Sequence, residues 1–329
     1  MPVVDVRSEN EYAAGHVASA INIPLLNNSE RVIVGTAYKQ HGQKEAIREG
    51  FRLVGPRLLD IVDHARSVGD ELIVHCWRGG MRSGNFCQFV NIAGLKTHQL
   101  GGGYKAYRQY SSQFLATPFR FIVLAGLTGS GKTEMLQGLR AMGEQVVDLE
   151  GLANHKGSVF GGLGQGIQPT TEQFQNDLFE ELYRLDRSKR IWIEDESIAV
   201  GKVFIPQPVW KTMLASPVAC VNVEKEVRLT RLVKEYGSAD KEGFAQALKG
   251  ITRKLGGQNY NAALNCLSSD DFAGAIDVIL NYYDKAYHNA IERKKDRIRM
   301  EMNWRGNEIE GLLKNLVQEA NKIEFEVCQ

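Results

Sequence analysis

Apolar and polar positions along the first 110 residues predict short strands followed by helices. "VVDV" at 3–6 and "ELIVHC" at 71–76 are apolar stretches of strand length, and the second is of the kind that is buried in a parallel sheet. Residues 43–69 carry apolar side chains at helical spacing, and "GNFCQFVNIAGL" at 84–95 predicts a further helix that ends at Gly94. Alternating strands and helices predict an α/β domain.

The pattern starts again after a polar stretch at 112–118. Four more apolar runs predict strands, with a helix at 131–143 after the first of them: "FRFIVLAG" at 119–126, "QVVDL" at 145–149, "KRIWIED" at 189–195 and "PVACVNV" at 217–223. From about residue 225 the pattern is helical to the end. We therefore predict two α/β domains, 1–113 and 114–329, the second with a parallel sheet and a helical C-terminal region from about 225.

Composition is that of a soluble globular protein, with 43% hydrophobic residues, 24% charged residues and a mean hydropathy of −0.28. No apolar run is long enough to cross a membrane, and no signal peptide is evident, so we expect no membrane partner. The cysteines are few and unpaired in spacing, which predicts a reducing, cytoplasmic setting rather than a disulfide framework or a zinc site. They stand at positions 76, 87, 220, 266 and 328.

The stretch "GLTGSGKT" at 126–133 fits the pattern G-x-x-x-x-G-K-[ST] of a P-loop, between an apolar strand and a predicted helix. In such a loop the glycines let backbone N–H groups surround phosphate oxygens, the lysine supplies a positive charge, and the threonine can hold Mg²⁺. The predicted phosphate-binding residues are Gly126, Gly129, Ser130, Gly131, Lys132 and Thr133.

Acidic and basic residues after neighbouring strands are candidates to support this loop. Asp195 follows the strand "RIWI" and is the predicted second ligand, with Thr133, of Mg²⁺. Glu150 stands at the end of "QVVDL", and strand ends of this kind line the ligand crevice of open α/β sheets. His155 and Lys156 lie in a glycine-rich loop at 151–166, which is either a lid over phosphates or a surface loop.

A second candidate site is the stretch "HCWRGGMRSG" at 75–84. Cys76 ends an apolar strand and faces the N-terminus of the next helix, where backbone amides carry partial positive charge and Arg78 and Arg82 add full charges. These groups favour a thiolate, so we expect a lowered pKa for Cys76. Cys87 and Cys220 lie within apolar patterns and are predicted to be core residues.

Two chemistries use such a loop. His75, Cys76, Arg82 and Ser83 match H-C-x5-R-[ST], the signature of protein tyrosine phosphatases, and a rhodanese loop, which carries a chalcogen on its cysteine, looks the same here. The preceding stretch "VDVRSENEYAAGHVASAINIP" resembles the N-terminal signature of rhodaneses. The matching residues, to which we assign a scaffold role, are Asp5, Arg7, Glu11, Gly15, His16, Ala20, Asn22 and Pro24.

A rhodanese-like domain followed by a P-loop domain resembles the family of tRNA 2-selenouridine synthases over nearly the whole chain. Further matching stretches are "VGTAYKQHGQKEAI" at 34–47, "LGGGYKAYR" at 100–108, "DLEGLANHKGSVFG" at 148–161, "IEDES" at 193–197, "RKLGGQ" at 253–258 and "YYDKAY" at 282–287. Members of the family generally have a short segment ahead of the first strand. We therefore expect either an incomplete sheet edge or a trimmed sequence.

The resemblance implies an enzyme that replaces sulfur by selenium at C2 of the wobble 2-thiouridine in a tRNA anticodon loop. Selenophosphate is the implied donor, and the route passes through an S-geranyl intermediate made from geranyl diphosphate. Cys76 takes the place of the family's catalytic cysteine, with Arg78 and Arg82 beside it, and the P-loop is expected to hold the diphosphate. Beyond these substrates and Mg²⁺, no tightly bound cofactor is expected.

Binding of tRNA depends on phosphate contacts, and the net charge of +1 means that a local basic surface must supply them. We expect a basic helix near the C-terminus to form this surface, together with two residues of the first domain. The candidates are Arg293, Lys294, Lys295, Arg297, Arg299, Lys105 and Arg108.

Two other interpretations remain open from the sequence. One is a cysteine-dependent phosphatase-like domain fused to a nucleotide kinase. The other is a non-enzymatic, nucleotide-gated tRNA-binding module whose rhodanese unit is vestigial, against which the intact cysteine loop argues.

Overall fold

The computed structural model describes residues 1–157, 165–236 and 241–325. The chain divides into two compact units, and each is described by itself. The first comprises Met1–Leu115 with Gln175–Glu180, and the second comprises Ala116–Phe174 with Glu181–Gln329. Within the described parts of the chain, no helix combines the length and apolar character needed to cross a membrane.

The first unit contains a four-stranded parallel sheet with the strand order β2-β1-β3-β4. Its strands are β1 (Val3–Asp5), β2 (Ile21–Asn22), β3 (Glu71–His75) and β4 (Lys96–Gln99). Its helices are α1 (Glu9–Ala14), α2 (Asn28–Val54), α3 (Leu58–Val68), α4 (Met81–Ile92) and α5 (Gly103–Leu115). Apolar residues of β1 and β3 pack against α4 in a core that includes Val4, Val74 and Phe86.

The single helix predicted over 43–69 is wrong in its bounds. Helix α2 begins earlier, at Asn28, because the side chain of Asn27 caps it by accepting a hydrogen bond from the Glu30 backbone N–H at 2.9 Å. It consists of two helical segments that meet at Gly42, which has φ +82°. A short 3₁₀ turn containing Pro56 separates α2 from α3, since proline lacks the N–H that a continuous helix would need there.

The second unit contains a five-stranded parallel sheet with the order β11-β10-β5-β7-β6. Its strands are β5 (Phe121–Ala125), β6 (Gln145–Val147), β7 (Ile191–Glu194), β10 (Val218–Val223) and β11 (Ile298–Trp304), and β8 (Ala199–Val200) and β9 (Val203–Phe204) form an antiparallel pair. Strand β5 is central and all its residues are buried, as its unbroken apolar sequence predicts.

The helices from residue 132 onwards include the predicted one after β5, those of the predicted C-terminal region, and others that the sequence pattern did not predict, one of which contributes Gln175–Glu180 to the first unit. They are α6 (Lys132–Ala141), α7 (Leu149–Leu152), α8 (Thr171–Tyr183), α9 (Gln207–Ala215), α10 (Lys225–Tyr236), α11 (Lys241–Gly250), α12 (Thr252–Leu255), α13 (Gly257–Ser268), α14 (Phe272–Glu292) and α15 (Ile309–Ala320). Helices α10 to α14 share a core of their own around Phe244, Leu248 and Leu280. The predicted fold class, α/β units with parallel sheets and C-terminal helices, is confirmed.

The prediction that the chain is helical from about residue 225 to its end is wrong for one segment. Residues Ile298–Trp304 form β11, which pairs in parallel with β10 at the edge of the sheet. Met300 and Trp304 are buried in the core against the sheet. Arg299, Glu301 and Asn303, which lie at every second position of the strand, are exposed. This period-two alternation is the strand signal that the preceding run of charges obscured.

Candidate functional site

Cys76 lies at the carboxyl end of the first sheet. Strand β3 ends at His75 and α4 begins at Met81, so the residues between them form the loop that carries the thiol. The Cys76 side chain is buried, with 4% of its surface exposed. Its Sγ accepts hydrogen bonds from the Gly80 backbone N–H and from the Ser83 hydroxyl, each at 3.3 Å. The sulfur therefore faces the N-terminal turn of α4, as the sequence predicts.

The pKa of Cys76 lies below the ordinary value of a thiol. Burial acts to raise it, but hydrogen bonds from the Ser83 hydroxyl and from the backbone N–H groups of Ser83, Arg78 and Gly80 outweigh burial. The expected direction and the contribution of the backbone amides are confirmed, whereas the two arginine side chains are not among the main causes. The guanidinium of Arg82 pairs with Glu11, at 2.5 and 3.2 Å, and Arg78 contributes its backbone N–H while its side chain is exposed.

The glycines of "LGGGYKAYR" hold the cysteine loop in place. Gly103 has φ +59°, and a Cβ at this position would lie 2.4 Å from the carbonyl oxygen of Cys76. The backbone N–H groups of Tyr104 and Lys105 donate to the carbonyls of Cys76 and Trp77, both at 2.9 Å. Only glycine allows this close approach, so the motif has a structural reason to follow the loop.

Gln99 is a residue of this site that the sequence reasoning missed. Its Nε2 donates to the Ser83 hydroxyl at 2.8 Å and to the Gly79 carbonyl at 2.7 Å. It therefore connects β4 to both the loop and the serine that touches the sulfur. The available signal was its place at the end of a strand next to the cysteine strand, directly before the glycine motif.

A buried ion pair lies beneath the loop. Arg7 Nη2 is 2.6 Å from Asp5 Oδ2, both side chains are essentially inaccessible to solvent, and the guanidinium lies 3.8 Å from the Tyr104 ring centroid. His75 is also fully buried, and burial lowers its pKa. These contacts fit the scaffold role that the sequence assigned to Asp5 and Arg7.

The P-loop connects β5 to α6, which begins at Lys132. Gly129 and Gly131 have φ of +80° and +84°, which glycine adopts readily. A Cβ at Gly129 would lie 2.9 Å from Leu232 Cγ, and one at Gly131 would lie 2.6 Å from Arg231 Nη2, so helix α10 packs directly on the loop. Lys132 Nζ donates to the Gly126 carbonyl at 3.2 Å, and Ser130 is fully buried.

Arg228 and Arg231 on α10 are further basic residues at the P-loop that were not selected from the sequence. Arg228 is buried, donates to the Thr128 carbonyl at 3.2 Å and is paired with Asp284. Arg231 forms an ion pair with Glu134 on the first turn of α6. Two arginines three residues apart share a helix face, and this spacing was the signal that could have identified them.

Glu150 and Glu196 lie beside Thr133. The Thr133 hydroxyl donates to Glu150 Oε2 at 3.2 Å, and the two glutamates are hydrogen-bonded to each other. Burial raises the pKa of Glu150, and burial together with the Glu150 charge raises the pKa of Glu196 to about 8. The pair therefore holds a proton at neutral pH. Gly157 packs against both carboxylates, since a Cβ there would lie 2.4 and 2.5 Å from their oxygens.

The structure places Asp195 and Lys294 together in an ion pair, and the Tyr287 hydroxyl donates to Asp195 Oδ2 at 3.0 Å. The carboxylate that touches Thr133 is that of Glu150, not of Asp195. Within residues 1–157, 165–236 and 241–325, no group of three or more His, Cys, Asp and Glu side chains is arranged to hold a metal ion.

The two basic residues of the glycine-rich loop, His155 and Lys156, have different surroundings. Burial lowers the pKa of His155, whose Nδ1 has no hydrogen-bond partner among the described residues. Lys156 forms an ion pair with Glu235. Residues 158–164 of the suggested lid lie outside the described residues.

The basic residues predicted to bind tRNA do not share one helix. Helix α14 ends at Glu292, and the following residues form a 3₁₀ turn and the start of β11. Arg297 donates to the carbonyls of Met213 and Ser216 at 3.1 and 3.0 Å, and Lys294 is engaged by Asp195. The side chains that remain exposed are those of Arg293, Lys295 and Arg299.

The two basic candidates of the first unit also differ. Lys105 is exposed, whereas Arg108 is half-buried and donates to Asn176 Oδ1 at 2.6 Å and to Gln175 Oε1 at 3.1 Å. Both acceptors belong to the same compact unit as Arg108. Its guanidinium is thus already engaged within that unit.

These features define a protein with a rhodanese-like unit and a P-loop unit, and comparisons with known proteins agree. Residues 1–110 match the family model of the rhodanese-like domain, and residues 119–319 match that of the tRNA 2-selenouridine synthase AAA domain. The chain is 32% identical to the tRNA 2-selenouridine synthase of Shewanella pealeana and 33% identical to that of Shewanella piezotolerans, with 90% of each chain covered in both cases. The chain belongs to the tRNA 2-selenouridine synthase family.

Family membership makes the chain an enzyme of tRNA modification. It favours the selenouridine interpretation over a phosphatase fused to a nucleotide kinase, and it argues against a non-enzymatic binding module.

Proposed function

We propose that this enzyme converts the wobble 2-thiouridine of a tRNA to 2-selenouridine in two steps, by way of an S-geranyl intermediate. The P-loop unit carries out the first step with geranyl diphosphate, and the cysteine unit carries out the second with selenophosphate. The substrate is the anticodon loop of a tRNA, and the enzyme depends on a supply of selenophosphate. A tRNA substrate and free thiols both suit a cytoplasmic enzyme.

In the first step the sulfur at C2 attacks C1 of the geranyl group. The C–O bond breaks, its electron pair leaves with diphosphate, and the N3 proton of the base passes to solvent. Backbone N–H groups at the N-terminus of α6 and the charge of Lys132 stabilise the leaving diphosphate. Binding of a leaving group, rather than hydrolysis of ATP, is the role that we assign to Gly126, Gly129, Ser130, Gly131, Lys132 and Thr133.

The residues at Thr133 fit a magnesium ion, because a hydroxyl and a carboxylate are oxygen ligands of the kind that Mg²⁺ prefers. Thr133 and Glu150 would hold the ion, and Glu196 would then release the proton that it shares with Glu150. When bound, the ion would neutralise charge on the diphosphate. Asp195 would contribute only after losing its contact with Lys294.

In the second step selenium replaces the alkylated sulfur. Selenium forms a bond to C2, the C2–S bond breaks, and sulfur leaves with the electron pair as geranylthiolate. The phosphoryl group of selenophosphate is transferred to water and leaves as phosphate, so no redox reagent is consumed. Alkylation matters because it turns the sulfur into a better leaving group. We assign the release of selenium to Cys76: its thiolate attacks the phosphorus of selenophosphate, and the P–Se bond breaks, which frees selenide to attack C2. Water then cleaves the S–P bond and restores the thiolate.

The observation that carries this proposal is the cradle around Cys76 Sγ. The Gly80 N–H and the Ser83 hydroxyl stabilise a thiolate, and Cys76 lies at the end of a strand where substrates reach α/β sheets. Family membership supports 2-selenouridine as the product, and the P-loop is our candidate site for a diphosphate.

Two variants test the two steps separately by mass spectrometry of 2-thiouridine tRNA after reaction. Lys132→Ala should lose most of its affinity for geranyl diphosphate and form no S-geranyl product, whereas Lys189→Ala, an exposed lysine, should behave as the wild type. Unchanged binding by Lys132→Ala would rule out the P-loop assignment.

Cys76→Ser should accumulate S-geranyl tRNA and form no 2-selenouridine, because only the second step needs the thiolate. Cys87→Ser is the matched control, since Cys87 lies in the core of the same unit. Normal selenation by Cys76→Ser would remove Cys76 from the mechanism.

A further inference from the structure

A mostly apolar cavity of about 610 Å³ lies within the first unit, beside the cysteine loop. Its walls come from the two segments of α2 on either side of Gly42, from the start of α3 and from the first turns of α4. They include Val34, Ile47, Phe51, Leu58 and Phe89, and Leu26 lines the cavity just ahead of α2. Its volume lies in the range of roughly 300–1,000 Å³ that is typical of sites for small ligands.

The cavity and the cysteine loop share residues. Met81 and Arg82 line the cavity and directly follow Gly80, whose N–H donates to Cys76 Sγ. Gln43 and Met81 meet across the cavity, with Gln43 Nε2 at 3.6 Å from Met81 Sδ. A ligand in the cavity would therefore reach the first turn of α4, at which the thiol is held.

Large apolar side chains that line this cavity are unusually exposed. Val32, Tyr38, Phe51 and Met81 each expose between 50 and 66% of their surface. Contiguous apolar surface of this kind marks a binding site in soluble proteins, because scattered apolar residues are common but clusters are costly. The walls thus favour a hydrocarbon ligand.

Basic residues stand at the same cavity. Arg31, Lys39 and Arg82 line it, and the nearby Glu11 is close to two of them, 2.5 Å from Arg82 and 3.8 Å from Arg31. The cavity lining thus holds three basic residues and no acidic one, and the neighbouring Glu11 is paired with two of the three. This excess of positive charge beside apolar walls complements a hydrocarbon chain that is attached to an anionic nucleotide.

We propose that this cavity binds the hydrocarbon chain of an S-prenylated nucleotide while its base is presented to Cys76. The inference rests on the proposed function, which identifies the hydrocarbon chain as the geranyl group of the intermediate. The cavity holds the chain while selenium replaces sulfur at C2, and the geranylthiolate leaves from it. It makes no covalent bond itself. Specificity for the alkylated intermediate over plain 2-thiouridine then arises at the selenation step.

Gly50→Trp is the variant that tests the cavity. Gly50 lines it and lies in α2, and a Cβ there would meet no atom within 4 Å, so the new side chain starts from open space at the cavity. Gly311→Trp is the matched control, since Gly311 lies in α15 and a Cβ there also meets no atom within 4 Å. Phe51→Ala, at an exposed lining residue, is a second variant that leaves the core intact.

The first measurement is the binding of S-geranyl-2-thiouridine and S-methyl-2-thiouridine nucleotides to the full chain by calorimetry. The wild type and Gly311→Trp should bind the geranyl compound at least tenfold more tightly than the methyl compound. Gly50→Trp should lose this preference, and Phe51→Ala should reduce it several-fold. An undiminished preference in both variants would overturn the proposal, as would a wild type without preference.

The second measurement is the KM for preformed S-geranyl tRNA in selenation, which should rise at least tenfold in Gly50→Trp. If the wild type binds the geranyl nucleotide selectively but does not selenate the tRNA, the proposed function fails and the cavity assignment stands. If the wild type selenates the tRNA and Gly50→Trp does so with an unchanged KM, the cavity assignment fails alone. If the wild type shows no preference for the geranyl compound, and sedimentation shows a dimer that Gly50→Trp abolishes, the apolar cavity face joins two copies of the protein instead.

Discussion

The Ser83 hydroxyl lies 3.3 Å from Cys76 Sγ, and its own oxygen accepts a hydrogen bond from Gln99 Nε2 at 2.8 Å. Because Gln99 occupies a lone pair of that oxygen, the serine proton is left to point towards the sulfur or towards the Gly80 carbonyl at 3.2 Å. A thiolate makes the sulfur the better acceptor of the two. The thiolate of this loop is thus stabilised by a chain of neutral donors rather than by a guanidinium.

Replacing this serine should make Cys76 less reactive near neutral pH. Ser83→Ala removes a hydrogen bond to a charged group, worth about 1.5–3 kcal/mol, so the alkylation rate of Cys76 at pH 7 should fall by a factor of roughly ten to a hundred. The pH midpoint of alkylation should move upwards, because the thiolate forms only at higher pH. Peptide mass spectrometry after timed exposure to iodoacetamide measures both.

Ser67→Ala is the matched control for this serine, since Ser67 is exposed and its hydroxyl donates to the backbone carbonyl of His64. It should leave the alkylation profile of Cys76 unchanged. A Ser83→Ala profile equal to that of the wild type would show that the backbone N–H groups alone lower the pKa of Cys76.

Glu196 should make the stability of the second unit depend on pH. The pKa of Glu196 is raised to about 8, chiefly by burial and then by the charge of Glu150, whereas an unfolded glutamate titrates near 4.5. Between these values the unfolded chain loses the proton and the folded chain keeps it. Stability is therefore greatest at low pH and falls as the pH rises towards 8.

The variant Glu196→Gln has no proton to lose and should weaken this fall. Its Tm relative to the wild type should rise by several degrees between pH 5 and pH 8, as measured by scanning calorimetry. Glu310→Gln, at an exposed position of α15, serves as the control and should show a constant difference. A constant difference for Glu196→Gln would mean that the carboxyl ionises without cost in the folded protein.

Much of the fold was predictable because its signals are local. The unbroken apolar runs of β5 and β10 are typical of buried parallel strands, and the glycine spacing of the P-loop follows from the backbone conformation that a phosphate cradle needs. Strand β11 was missed because it lies at the sheet edge, where only every second residue is buried, directly after a run of charges. Local periodicity is weakest at such a position.

The partners of charged residues were less predictable, because they are set by contacts distant in sequence. Arg82 is matched by Glu11, which lies 71 positions away, and Lys294 is matched by Asp195, which lies 99 positions away. From the sequence alone, each of these looked like a free charge facing a ligand. Glu150 and Thr133 come together because they follow β6 and β5, the two strands that flank β7 in the second sheet.

The contacts of Thr133 lead to a prediction about magnesium. If an ion binds there with the help of a carboxylate, Glu150→Gln should weaken binding of Mn²⁺, used as a paramagnetic substitute, by at least tenfold in the presence of geranyl diphosphate. Asp195→Asn should have a smaller effect, because Asp195 is held by Lys294 and Tyr287. Electron paramagnetic resonance titration of free Mn²⁺ measures both. The opposite ranking would restore Asp195 as the ligand that its position after β7 suggested.

The exposed basic side chains after α14 give a prediction about tRNA. Arg293, Lys295 and Arg299 remain accessible, so replacing the first two by Glu should weaken tRNA binding if they contact phosphates. Each lost contact should also make the slope of log affinity against log salt shallower by about one.

Lys314→Glu with Lys322→Glu is the matched control, because it reverses two charges at exposed positions near the end of the described chain. Filter binding at several salt concentrations measures the slope. If both double variants weaken binding equally, only the net charge matters and these residues form no specific surface; if only the first does, the segment between α14 and β11 contacts the tRNA backbone.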